Sequence, residues 1–505
     1  MKKSNFVRLA EIGIDVVAAR LLGHEYALRF LALPFELKGD FLSVAMQSPG
    51  DAVTISHLAD ITGKFILPVA AEEDDLRFYI SKIFGEEKMD SIASSFLVET
   101  RLKNREINSK ISDELLLEIS AAPAVRLIDS LIEAGAINRA SDIHIEPFGQ
   151  HLRTRYRVDG MLVTYSKVDI SLLPNVISRL KIMSGMDISE KRMPQDGSFS
   201  MCVGAEKIDF RLSTLPTAFG EKAVIRLLYD QKSRLKKTEL GFFEDDLSHL
   251  TELFNRPFGA IFMTGPTGSG KSTTLNCFLE EMNTETKNIV TVEDPVENPI
   301  LGISHVNVER SALGFAGALR HILRQDPDVI MIGEIRDEET ARIAISAAIT
   351  GHVVLSTLHT NDAAGVIERL QDMGIEPYLA SSALNGVISQ RLVRRICENC
   401  AEDTTLTPRQ ARILAVESDM PVRAGSGCAH CNSTGFRTRF AVYEYISMNE
   451  NMRRHMSTNP AEFAAELRKR DGLRKNALRS LQAGYTTAEE VIRVLNRDWI
   501  EDDGE

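Results

Sequence analysis

The stretch IFMTGPTGSGKSTTLNCFLEEM, residues 261–282, decides the class of fold. An apolar run from Ala260 to Met263 predicts a strand. Gly265-Pro266-Thr267-Gly268-Ser269-Gly270-Lys271-Ser272-Thr273 follows, and then the residues read as a helix. A phosphate-binding loop needs that context, strand before and helix after. The glycines let backbone N–H groups curl around phosphate oxygens. Lys271 supplies a point charge for the β- and γ-phosphates. The Ser272 hydroxyl suits Mg²⁺, and the helix N-terminus adds its dipole. A chance glycine-rich turn is the alternative, and the filled positions and correct flanks argue against it. Cys277, in the following helix, reads as core.

Outward from this loop, ligands of a doubly wound sheet lie at the carboxyl ends of its strands. In DVIMIGEIRD, 328–337, the apolar strand Val329–Ile332 ends in Gly333 and then Glu334. Glu334 is therefore expected beside the phosphates, positioned to orient or deprotonate an attacking water. A salt bridge to Arg336 or Arg342 is the bland alternative. Gly333 stands where many nucleotidases carry a metal-binding aspartate, so Ser272 and waters are expected to hold magnesium. NIVTVEDPVENP gives a second acidic strand end, with Glu293 as a water- or metal-orienting group. HVVLSTLHTNDA places His359 after a third strand, where it either senses the γ-phosphate or is structural.

The chain has 505 residues, 44% hydrophobic and 26% charged, with formal net charge −12. That is ordinary for a globular protein of about three domains. The negative total disfavours non-specific binding to a polyanion. Arg8, Glu11, Asp15 and Arg20 interrupt the N-terminal apolar residues, so no signal peptide is expected, and no run of about 18 apolar residues anywhere predicts a membrane span. Residues 1–85 read as a small α/β module, with a strand and Pro-Gly turn in FLSVAMQSPGD and a helix in DDLRFYISKIFG. Residues 86–112 read as a polar linker or a solvated helix.

Residues 113–240 read as a second domain. Val125, Ile128, Leu131 and Ile132 share one helix face, and SDIHIEPFGQHLRTRYRVDGMLVTY alternates like paired strands with turns near Gly149 and Gly160. Arg153, Arg155 and Arg157 fall on one strand face and repel each other unless an anion or carboxylates intervene. Arg226 interrupts the apolar strand AVIRLL, where a buried arginine calls for an anionic partner. Arg211 points away from Ile208, Phe210 and Leu212. Residues 241–505 alternate strands and helices and predict a mostly parallel sheet. Arg320 and Arg324 form an i, i+4 pair before the Glu334 strand, either structural or facing another subunit.

Six cysteines are present. Four form two C-x2-C knuckles, Cys397/Cys400 and Cys428/Cys431, which suit tetrahedral structural Zn²⁺ rather than redox chemistry. The 27 residues between them exceed ordinary ribbon spacing, which loop entropy tolerates. His430 lies inside the second knuckle and is an unfavourable ligand.

Four motifs in order, GPTGSGKST, VTVEDPVE, LRQDPDVIMIGEIRD and TGHVVLSTLHTNDA, resemble the Walker A, Asp box, Walker B and His box of the secretion ATPase superfamily. RASDIHIEP, RYRVDG, KIMSGMDISEKRMPQDGSFS and STLPTAFGEKAVIRLL resemble the type II secretion ATPase E and type IV pilus assembly ATPase B family. The resemblance implies an α/β fold: a RecA-like P-loop NTPase core, a PAS-like α/β second domain, a small N-terminal α/β module and a four-cysteine zinc subdomain at about 395–440. It implies a cytoplasmic homohexamer, peripheral at the inner membrane, that hydrolyses ATP with Mg²⁺ to drive pseudopilin or pilin assembly. Arg211 and Arg226 match the family's arginine fingers. Residues 1–85 match a module that docks on the cytoplasmic domain of an inner-membrane partner beside a polytopic platform protein. Some relatives bind cyclic di-GMP there through Arg-Leu-Gly…Gln; this chain has Arg8-Leu9-Ala10 and no matching glutamine. RLVRRI and GFRTRF beside the cysteines suggest DNA, but assembly ATPases carry the same metal subdomain, so no direct nucleic-acid binding is expected.

Overall fold

The computed structural model describes residues 14–73, 113–203, 206–229, 235–308 and 313–495, with Val7, Leu9, Ile12 and most of 75–84. The expected linker 86–112, Arg8 and Ala10 lie outside the described residues, as does the expected helix end at Gly85. The chain forms two compact units. One comprises Met1–Asp230 with Cys397–Cys400 and Gly425–Arg437; the other comprises Gln231–Ile396, Ala401–Ala424 and Thr438–Glu505. No described helix is long and apolar enough to cross a membrane.

In the first unit, short helices Val16–Arg20 and His24–Phe30 precede a three-stranded sheet made of β1 (Ala32–Lys38), β2 (Phe41–Met46) and β3 (Phe65–Ala70), in the order β1-β2-β3. Its buried side carries Leu33, Leu42 and Val44, which share a core with Leu58 of helix Ala52–Thr62. A six-stranded antiparallel sheet follows, in the order β6-β5-β4-β9-β8-β7. Its members are β4 (Asp142–Phe148), β5 (His151–Val158), β6 (Met161–Asp169), β7 (Gln195–Val203), β8 (Glu206–Thr217) and β9 (Gly220–Tyr229). Helices Asp113–Ile137 and Leu173–Met183 share one apolar core with it. Strand alternation explains this core. Ile143 and Ile145, Phe210 and Leu212, and Ala223, Ile225 and Leu227 all point inward. The charged residues between them make the opposite face.

The second unit is built on a seven-stranded sheet, β12-β11-β13-β14-β10-β15-β18. Its strands are β10 (Gly259–Thr264), β11 (Ile289–Glu293), β12 (Ser304–Asn307), β13 (Val329–Ile332), β14 (Val353–Leu358), β15 (Leu384–Ile396) and β18 (Phe436–Ser447). Between β15 and β18 the short strands β16 (Ala401–Thr405) and β17 (Pro421–Gly425) pair with each other. β12, β11, β13, β14, β10 and β15 run parallel. Every residue of β10, β13 and β14 is buried, the pattern of a sheet covered on both faces. Phe278 of helix Lys271–Met282 stacks on Phe254 of helix Glu244–Phe254 with centroids 3.9 Å apart. Such a pair contributes roughly 1 kcal/mol beyond its buried area. The stack fixes the helix that begins at the phosphate loop.

Candidate nucleotide and metal sites

The loop 265–270 leaves the carboxyl end of β10 with left-handed backbone at Gly265, Gly268 and Gly270. At Gly265 a Cβ would stand 2.3 Å from the Gln390 carbonyl oxygen, so only glycine fits. Lys271, the first helical residue, is buried, and its ammonium donates to the carbonyls of Gly265 (2.9 Å) and Pro266 (3.1 Å). Burial pulls its pKa below the ordinary lysine range, and the Glu334 charge partly offsets that. The buried Ser269 hydroxyl has no hydrogen-bond partner among the described residues. An unpaired buried hydroxyl in a nest of backbone donors fits an anionic ligand. Ser272 and Thr273 are exposed at the helix start, as a metal-binding hydroxyl must be.

Glu334 stands two residues past the end of β13, its side chain mostly covered. One oxygen accepts from Arg336; the other lies 3.5 Å from His359 Nε2, beyond the end of β14. The structure thus brings Lys271, Glu334 and His359 into one neighbourhood. The alternative bridge to Arg336 is present; that to Arg342 is not, since Arg342 serves Glu338 and Glu376. An exposed partner such as Arg336 contributes little stability, so the pair leaves a catalytic role for Glu334 open. Glu293, the last residue of β11, accepts from Thr291 (2.6 Å) and lies 2.9 Å from His305 Nδ1. Arg320 pairs with Glu339.

Three braces carry no loop motif. Gln390, within β15, donates to the Ser269 carbonyl (2.7 Å) and accepts from Thr274 (2.9 Å), fastening the loop to the neighbouring strand. Arg391 donates to the Asn361 carbonyl just beyond His359. Thr264 accepts from the Thr360 amide at 3.0 Å, tying the end of β10 to the same turn. The available signal was a glutamine inside the apolar strand LNGVISQRLV, because a buried amide demands partners.

In the first unit, Arg211 and Arg226 face each other across β8 and β9, both exposed. Arg226 corrects the sequence expectation: its side chain is 60% exposed, not buried, and pairs with Asp142 at 3.1 Å across β4. β9 alternates, and Arg226 falls on the polar side between Ile225 and Leu227. Arg153, Arg155 and Lys222 converge on Glu146, and Arg157 approaches Asp142. Carboxylates of SDIHIEP therefore settle the repulsion.

Cys397, Cys400, Cys428 and Cys431 gather with their sulfurs within 4.8 Å of one another, none in a disulfide. Cys397–Cys428, Cys400–Cys431 and Cys428–Cys431 are each 3.7 Å apart. Four thiolates about 2.3 Å from a tetrahedral ion stand ~3.8 Å apart, so the donor set fits zinc. Backbone N–H groups of Gly427, Cys428 and Gly435 donate to the sulfurs, as stabilised thiolates require. His430 lies outside the cluster.

The profile described as "Type II/IV secretion system protein" matches residues 118–493. The chain belongs to this family. An MshEN domain profile matches residues 4–90. The type II secretion system protein E of Pectobacterium carotovorum subsp. carotovorum is 44% identical over 391 residues, covering 77% of this chain and 78% of that protein. The type IV pilus assembly ATPase PilB of Myxococcus xanthus is 39% identical over 503 residues, covering 96% of this chain and 88% of that one. The X-ray structure of the Legionella pneumophila ATPase DotB aligns with TM-score 0.55 at 22% identity, over 73% of this chain and 95% of that chain, which shows a shared fold. The fold is of the RecA-like secretion-ATPase class, and the chain is an ATP-hydrolysing enzyme of the type II/IV secretion family.

Proposed function

We propose that the chain is a cytoplasmic, hexameric ATPase peripheral to the inner membrane, where it drives pseudopilin assembly and protein export by a type II secretion system. The carrying observation is the meeting of three strand ends, with buried Lys271 in the Coulomb field of Glu334 and His359 beside that carboxylate. Lys271 neutralises the β- and γ-phosphates, and Ser272 with waters holds Mg²⁺, which when bound screens the triphosphate's charge. Glu334 orients and deprotonates the attacking water, Glu293 orients water or metal, and His359 donates toward the γ-phosphate. Arg211 and Arg226 act on nucleotide as arginine fingers. Residues 113–240 form the domain that supplies them, and residues 241–505 the motor core. Residues 1–85 dock on the cytoplasmic domain of a membrane partner beside the polytopic platform. The four-cysteine cluster holds one structural zinc.

A second reading, pilus or competence-pseudopilus assembly, is favoured by the pilus relative's alignment over 96% of this chain. Identifying the membrane protein captured by residues 1–85 separates the two. Glu334→Gln is expected to bind ATP but hydrolyse it ~10²-fold or more slowly. Unchanged phosphate release would remove Glu334 from the mechanism. Chelation under reducing conditions is expected to release one zinc per chain, read by metal analysis.

A further inference from the structure

The Glu293 carboxylate is held by an element that the motifs do not include. Glu293 and Thr291 are two apart on β11 and share a face, and Thr291 is in register with His305 on the parallel edge strand β12. The His305 ring closes this corner. Its Nδ1 lies 2.9 Å from Glu293 Oε1 and its Nε2 lies 2.8 Å from the Ile300 backbone nitrogen. Both side chains are nearly buried, at 11% and 12% exposure. The Ile300 N–H can only donate, so Nε2 accepts and the ring proton sits on Nδ1. His305 therefore shares its Nδ1–H between Glu293 Oε1 and the Thr291 hydroxyl oxygen, 2.8 Å away. Thr291 donates to Glu293 Oε1 at 2.6 Å. Among the described residues both bonds fall on Oε1 and none on Oε2. A Cβ at Gly333 would stand 3.8 Å from Glu293 Cγ, so this carboxylate adjoins the residue preceding Glu334.

We propose that His305, in its neutral Nδ1–H form, is the positioning residue that aims Glu293 at the metal-bound or attacking water. This rests on the reading of Glu293 as a water- or metal-orienting group. A ring bridging a donor and an acceptor can be replaced by glutamine, whose amide offers one N–H for Glu293 and one oxygen for Ile300. Alanine offers neither.

The test is steady-state ATP hydrolysis by the full-length protein with magnesium, alongside thermal melting. His305→Ala is expected to lower kcat about tenfold with KM within about twofold, and His305→Gln to recover most of the loss. In a Glu293→Gln background, His305→Ala is expected to add less than about twofold, because the two act as a unit. Wild-type kcat in His305→Ala, with Glu293→Gln impaired, overturns the role of His305 and leaves that of Glu293 standing. Unchanged turnover in Glu293→Gln overturns the underlying reading itself. Equal losses in the alanine and glutamine variants, or an undiminished loss in the Glu293→Gln background, make His305 a fold residue only.

Discussion

Two charged regions of this molecule look alike in sequence and differ in structure. On the outer face of the antiparallel sheet, Glu146 collects Arg153, Arg155 and Lys222 within 3.1 Å. At the strand ends of the parallel sheet, Lys271 rests its charge on two neutral carbonyls, with Glu334 acting from a distance. The first cluster is closed, because its three cations already share one carboxylate fixed in the same sheet. The second is open, because carbonyls do not cancel charge and a phosphate does. Density of charge therefore does not mark a site; the chemistry of the partners does.

The sharpest way to break this contrast is Lys271→Ala, expected to weaken nucleotide binding and abolish turnover. A variant that still hydrolyses ATP would make the phosphate loop as inert as the Glu146 cluster. Next comes a pair drawn from the antiparallel sheet. If Arg226 acts as proposed in a ring, Arg226→Ala is expected to lower hydrolysis about tenfold or more in the assembly while leaving isolated subunits unaffected, and Arg155→Ala to change melting but not turnover. Equal effects of the two on turnover would erase the distinction between fingers and struts.

The smallest effect concerns acid. Burial alone would raise the Glu146 carboxyl, but hydrogen bonds from Arg155 and Lys222 outweigh it and hold the group at about 2. A carboxyl depressed on folding stabilises above its unfolded pKa, near 4.5. That contribution fades as pH falls from there toward about 2. Glu146→Gln is expected to flatten the dependence of melting temperature on pH across that window. An unchanged slope would mean the closed cluster contributes nothing.

The strands bearing the phosphate loop and Glu334 were legible because period and punctuation coincide there: Val329–Ile332 is apolar throughout and stops at glycine. Arg226 was misread because an arginine in an apolar run looks buried, whereas strand alternation puts it outside and Asp142 across from it. Pairing across strands was hidden as well. Nothing in the spacing of His305 from Glu293, or of Gln390 from Ser269, announces contact, since those bonds arise only when separate strands become neighbours. The cysteine cluster lay between these cases. Its knuckles were plain in sequence, and their meeting needed the fold.

One consequence of β15 is mechanical. Gln390 grips the phosphate loop, and the very next residue, Arg391, holds the carbonyl of Asn361 just past His359. Consecutive strand residues are only ~3.3 Å apart and cannot slide past one another. The phosphate loop and the turn just past His359 therefore hang from adjacent residues of one strand, so their spacing is set by a single piece of backbone.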